Sequence, residues 1–472
     1  LLPSGVPALS AISDTVGPAA IEIPPSLQAL GEILFLSAGI KKRKVYVGGE
    51  IAFRAAACTG ALYHIDLYLV CGELPGSNLE AGVYQFSPQD FSLRRLRKGD
   101  YRSVLVCASA QEPSIALAPA AIICASTYWR NSWKYRARTY RHCYWDNGTI
   151  LANLLAAAAA HQLTSRVNTG FVDSEVSRLI GLDTEREAAL TIVALGKGPA
   201  VVPMPVLSTA VESITLETEP LSDRQIDHPA LRAMHAASSL ESEGEVKAWR
   251  SAAQPLAERE DEPGTTGLLF PLNPLTDEEI PQDTIEQVIL RRGSTREFAR
   301  ESITFEQLST MLDRSTRGIP VDFLTPSAEP LNDLYLIVNA VENLPSGAYF
   351  FRRKSRALEL LKEGDFRDEA GDLGLGQDLP ADCSVDVFFL TDLARVLARY
   401  GNRGYRAAQL EAGVIGGKLY LSAYAQRLGA SGLTFFDDDV TEFFSPHAAS
   451  KSVMFLMALG KPTKRTRRLS IL

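Results

Sequence analysis

Apolar residues recur at helical spacing on both sides of one polar link. Ile285, Val288, Ile289 and Leu290 precede it, and Phe305, Leu308, Met311 and Leu312 follow it, which predicts two helices joined by a short loop. Ser26 to Phe35 has the same period, with Ser26 placed as an N-cap. Ala61 to Val70 alternates instead and predicts a strand. Residues 1–22, rich in Pro, Ala, Ser and Gly, read as a loop.

The pattern is written twice. Gly82-Val-Tyr84 matches Gly347-Ala-Tyr349, Leu93 matches Leu358, and Gly99-Asp-Tyr-Arg102 matches Gly364-Asp-Phe-Arg367, always 265 residues apart. The same offset carries Tyr135, Arg138, Tyr140 and Arg141 onto Tyr400, Arg403, Tyr405 and Arg406, and Gly148 onto Gly413. A constant offset through so many matches marks an internal duplication. The period is too long for a solenoid, so the chain is expected to be a covalent version of a two-fold dimer. The copies are placed at residues 1–204 and 276–472. The segment 205–275, acidic and broken by Pro and Gly, reads as a crossover with some helix. The chain opens on Leu1 rather than Met, which leaves open a missing piece at the start of the first copy.

Composition narrows the classes. A net charge of −8 gives no global attraction to nucleic acid. The longest nearly uncharged runs, such as Ser114 to Tyr128, are too short and mixed for a membrane span. Of six cysteines, none forms a Cys-x-x-Cys pair, which suits reduced thiols in a cytoplasmic protein. The histidines show no metal spacing, so no metal is expected. Asp437-Asp438-Asp439 suggests a metal, but consecutive carboxylates point different ways, and the run reads as a turn.

The polar link is Arg292-Gly293-Ser294-Thr295-Arg296. If it is extended, Arg292, Ser294 and Arg296 share one edge, and guanidinium forks with a hydroxyl suit a phosphate. A solvated basic loop is the alternative. The alternation resembles the FMN-phosphate clamp of the nitroreductase family, with Gly293 where that motif has a second Arg. Further matches cover nearly the whole chain outside the crossover. Lys134-Tyr135, the Arg-x-Tyr-Arg blocks, a helix leading to a Leu-Gly turn, and RAAACTGALYHIDLYLV at 54–70 resemble the SagB-type branch.

That resemblance implies an α+β fold of two tandem FMN-dependent nitroreductase-like domains forming an intrachain pseudo-dimer, with FMN at the interface. It implies a phosphate held by Arg292, Ser294 and Arg296, with Lys464 or Arg465 from the basic tail joining. It implies that Cys58, Thr59, Gly60 and Ala61 approach from the other copy. Leu433, Thr434 and Phe435, after a Gly-rich turn at 429–432, would line the flavin. In azoline dehydrogenases of the branch a Lys-Tyr pair is associated with removing a substrate proton, which makes Lys134 and Tyr135 the catalytic candidates; the second copy has Arg399 instead, and Arg cannot act as a base near neutral pH. A cation–π surface is the other reading of that cluster. The first copy has no Arg, Lys or His in ALSAISDTVGPAA, where its own clamp would fall, so one FMN is expected and the twin site empty. Three functions stay open: an FMN-dependent oxidoreductase acting on a small molecule or peptide with NAD(P)H as reductant, an azoline dehydrogenase of a peptide-modifying system, and a flavin-binding scaffold without turnover.

Overall fold

The computed structural model describes residues 3–13, 23–46, 49–74, 76–198, 201–202, 211–214, 219, 222–253, 267–325 and 329–463. Each half builds one mixed unit of helices and an antiparallel sheet. In the first, strands run in the order 165–168, 187–195, 120–127, 65–71, 82–87, 92–98. In the second the order is 429–433, 452–460, 385–391, 333–338, 347–352, 357–363, with a seventh strand at 269–271 added from the end of the crossover. Strand by strand the two sheets are the same sheet, so the duplication seen in the residues is also one of topology.

The halves meet through two long helices, Thr139–Ala160 (α1) and Arg403–Ala425 (α4). Both are buried on nearly every face, because each packs on its own sheet and on the other helix. Their crossing needs glycine. A Cβ on Gly148 would lie 2.4 Å from the Gly413 carbonyl carbon, and one on Gly413 would lie 2.8 Å from Tyr144 O. These two glycines are repeat mates, so the pseudo-two-fold axis passes close to them. A side chain at either would force the helices apart and open both cores.

Around this pair the sequence pattern largely holds. Ser26 caps helix Leu27–Ala38 by accepting from Ala29 N at 3.1 Å. Thr284 and Thr304 begin Ile285–Arg291 and Phe305–Ser315 with full capping boxes. The expected strand starts later, at Ile65–Cys71, because Thr59–Ala61 form a short 3-10 turn. Three expectations fail. Residues 8–13, read as loop, form a buried helix against α1 and α4. Gly429–Gly432, read as a turn, lies in the edge strand Gly429–Leu433, paired with Ser452–Gly460. Asp437-Asp438-Asp439 opens helix Asp437–Phe443, where three carboxylates suit the positive N-terminal end. The crossover contributes helices Pro229–Ala237 (α2) and Glu243–Ser251 (α3).

Candidate functional site

A cleft of about 320 Å³ opens between the halves, within the usual range for small-molecule sites. From the first half it is lined by Cys58, Thr59 and Gly60, and by Lys134 and Tyr135. From the second it is lined by Ser294 and Arg296, by Tyr420, and by 431–434. Residues expected together from distant parts of the chain therefore do share one cleft.

The 292–296 link is extended as it leaves its helix, with Arg292 at φ −52° and ψ 136°. It lies along the edge strand, where Thr295 N donates to Ala430 O at 2.9 Å. This approach requires Gly429, since a Cβ there would meet Thr295 Oγ1 at 2.3 Å. Tyr420 of α4 organises the loop. Its hydroxyl accepts from Gly432 N at 2.6 Å and pairs with Ser294 Oγ at 3.2 Å, and the Arg292 guanidinium lies 5.4 Å from its ring. Arg296 is exposed and, among the described residues, has no carboxylate partner.

Arg292 departs from the expected edge. It is buried and donates from Nε and a terminal nitrogen to Ala55 O at 3.2 and 2.8 Å. Burial lowers its pKa, and it pins the first half's 55–61 segment instead of facing the cleft. Phe435 also turns away. It is fully buried against Trp145, with the Arg138 guanidinium 5.5 Å from its ring. Ala61 lies outside the lining, at positive φ in the 3-10 turn. Leu433 and Thr434 do line the cleft. Lys464 and Arg465 fall outside the described residues.

Lys134 and Tyr135 end a short helix at the cleft mouth, with Lys134 Nζ 5.1 Å from the Tyr135 ring. The ring is fixed from two sides. A Cβ on Gly60 would touch its hydroxyl at 2.7 Å, and His142 meets it edge-on at 4.7 Å. Burial drives the His142 pKa down to about 3, which keeps that ring neutral. Lys134 itself is exposed, so only a ligand covering the cleft would desolvate it.

Beneath the 58–60 backbone lies a polar anchor that sequence spacing did not reveal. Asp146 of α1 accepts from Thr59 N and Thr59 Oγ1, both at 2.9 Å, and from Cys58 Sγ at 3.1 Å. His64 Nε2 reaches the same carboxylate at 2.9 Å, while its Nδ1 contacts Ser126 Oγ at 2.8 Å. Burial opposes charge on His64, but Asp146 outweighs it and raises the pKa to about 9. The pair is therefore ionic at neutral pH. Its contribution to stability is lost as pH rises through about 9, where the imidazolium deprotonates. Cys58, His64 and Asp146 offer metal-type ligand atoms within 4.8 Å of one another, a trio not expected from sequence. Their 2.9 and 3.1 Å contacts are shorter than the roughly 3.3 Å or more that separates ligands spread around a zinc ion. Proton-bridged contacts account for the spacing.

The pseudo-symmetric twin of the cleft is filled by the chain itself. Arg399 and Tyr400, mates of Lys134 and Tyr135, pack on the crossover: Arg399 donates to Ala252 O at 2.6 Å, and the Trp249 ring lies 5.1 Å from Tyr400. Trp249 lies so close to Gly170 that a Cβ there would meet the indole at 2.5 Å. Asp322 takes the backbone N–H groups of Thr169 and Gly170 at 2.8 and 2.6 Å. The twin, expected to be empty, is plugged by a buried indole.

Residues 289–461, in the second half, match the model of the nitroreductase family. The likeness extends over both halves in one solved structure, a candidate nitroreductase from Anabaena variabilis, which is 25% identical with a TM-score of 0.75 over 96% of this chain and 91% of that one. Candidate nitroreductase MJ1384 of Methanocaldococcus jannaschii is 25% identical over 174 residues, 37% of this chain and 82% of its own length. The microcin B17-processing protein McbC of Escherichia coli is 27% identical over 140 residues, 29% of this chain and 52% of its own length. The chain thus spans about half of McbC. Among the described residues no helix is long and apolar enough to cross a membrane.

Proposed function

We propose that the cleft holds FMN and that the chain is an FMN-dependent oxidoreductase of the SagB type, drawing electrons from NAD(P)H or from an oxidisable substrate. The observation that carries this reading is the pairing, in one cleft, of Arg296 beside the Ser294 hydroxyl with two backbone strips of small residues, 58–60 and 431–432, from opposite halves. A guanidinium without a carboxylate partner suits a phosphate, and small residues let backbone approach a flat ring. FMN would supply the acceptor for a hydride at its N5 atom. The protein's part is to hold the phosphate at Ser294 and Arg296, to keep 58–60 rigid through Asp146, and to present Lys134 for proton removal. The likeness to McbC and the Lys134-Tyr135 pair favour a peptide substrate oxidised at a C–N or C–C bond, as in an azoline dehydrogenase.

An absorption spectrum of the protein after incubation with FMN, followed by anaerobic stopped-flow mixing with NADH and NADPH, tests this. A flavin spectrum that bleaches on mixing is the expected result. A flavin that stays oxidised with both nucleotides and with peptide substrates would leave a binding scaffold, and no retained flavin would remove the cofactor reading.

A further inference from the structure

The duplication places two polar networks in equivalent positions, and only one of them is covered. In the covered network, Arg406 donates from Nε to Tyr140 OH at 3.1 Å and from a terminal nitrogen to Asp173 at 2.7 Å, while Arg403 holds the other Asp173 oxygen at 2.6 Å. In its mate, Arg141 donates from Nε to Tyr405 OH at 3.0 Å and also to Asp437, and Arg138 holds the other Asp437 oxygen. Tyr140, Arg138 and Arg141 are the repeat mates of Tyr405, Arg403 and Arg406. The Nε–hydroxyl bond and the two arginine–carboxylate contacts recur in both networks, with Asp173 and Asp437 in the same acidic role.

The covered network shows what such a site binds. The end of α2 and the residues after it lie across it. His235 O accepts from Arg406 at 2.8 Å, and Ser238 O accepts from Arg403 at 3.0 Å. Ser238 Oγ sits between Arg406 Nε and Tyr140 OH, 2.8 Å from each. Leu240 N donates to Asp173 at 3.0 Å. Arginine thus adds charged donors to carbonyls at a helix C-terminus, where intrahelical partners run out. This cover leaves the Arg403 and Arg406 side chains 2% exposed.

The mate opens instead onto a groove of about 450 Å³ bordered by Arg141, Tyr405, Asp437, Leu393, Glu442 and Met454. There the Arg141 and Asp437 side chains are 24% and 31% exposed. Beyond Tyr405 and Asp437, Arg141 has no further acceptor among the described residues.

We propose that this groove docks a segment of another polypeptide, a helix C-terminus followed by Ser or Thr, in the way its mate holds residues 235–240. A carbonyl of that segment accepts from Arg141, while Arg138 stays on Asp437 and Phe435 O. Its hydroxyl bridges Arg141 and Tyr405, and an N–H further on donates to Asp437. The groove is lined by residues other than those of the cleft, so docking stands apart from the cofactor reading.

The test uses a fluorescent synthetic peptide of residues 228–241, HPALRAMHAASSLE, titrated into the full chain. Saturable binding of one peptide per chain is expected. Arg141→Ala should weaken it about ten- to hundredfold, as should alanine in place of Ser238 in the peptide, since hydrogen bonds to charged groups are each worth that factor. Glu442→Trp, an exposed rim position that leaves the network intact, should block the groove while the melting temperature and flavin content stay at wild-type values. Binding unchanged in both protein variants would overturn the proposal. So would displacement by acetate or phosphate as effective as by unlabelled peptide, because that would leave a simple anion site.

Discussion

Lys134→Ala is expected to suppress oxidation of a C–N or C–C substrate by about 10²–10⁴-fold, the usual contribution of a positioned base, while FMN stays bound. A proton must leave such a substrate as hydride departs. Lys134 is the amine in the cleft lining, placed at the mouth on a helix whose Tyr135 is fixed by Gly60 and His142. The mate position holds Arg399, whose guanidinium is bound to Ala252 O in the plugged twin. Reduction of a quinone or nitro acceptor needs no proton taken from carbon, so Lys134→Ala should spare it. Rates measured with both classes on the flavin-loaded variant decide the matter. Equal loss of both would give Lys134 a structural part, and no loss of either would make it a solvated surface residue.

Arg296→Ala should weaken FMN about ten- to hundredfold, the worth of one charge-assisted hydrogen bond, with little change in melting temperature because Arg296 is exposed. Arg292→Ala should also release FMN, but by another route. Its guanidinium holds Ala55 O across the domain boundary, so its loss leaves a buried carbonyl unpaired, frees the 55–61 segment and lowers the melting temperature as well. Arg102→Ala is the control. Arg102 binds Asp100 and Ala118 O away from the cleft, and its mate Arg367 makes the same kind of tie to Ala381 O. Flavin titration with thermal melts separates the three. Equal retention in all of them would show that the clamp is misassigned.

The repeat was legible because identical residues at one offset report a shared backbone without any need to know the backbone. The same logic reached the shared cleft, since Cys58, Lys134, Ser294, Arg296 and Leu433 all come to it. Side-chain direction was not legible. Alternation put Arg292 beside Ser294 and Arg296, but a carbonyl from the other half, 237 residues away, draws it inward. Phe435 sits in the flavin-lining stretch, but its ring packs in the core against Trp145. Local propensity failed where tertiary contacts decide. Gly429-Ala-Ser-Gly432 has the composition of a turn, yet becomes a strand because 452–460 offers an open edge. Residues 8–13 are too few for a stable isolated helix and form one against α1 and α4. Asp146 and His64 were invisible because their partners lie far away along the chain, and Tyr420 because its role depends on Ser294 and Arg292 in a distant loop. The Trp249 plug was hidden in a crossover that reads only as polar, although a lone Trp in an acidic linker is a signal that could have prompted a search for its pocket.

One working cleft and one filled twin fix the flavin stoichiometry. Flavin released from denatured, FMN-saturated protein and counted per chain tests it most directly. One FMN per chain is predicted, because Arg296 and Ser294 serve a single cleft and Trp249 occupies its mate. Two per chain would contradict it, since the crossover would then have to leave the twin for a second flavin to enter.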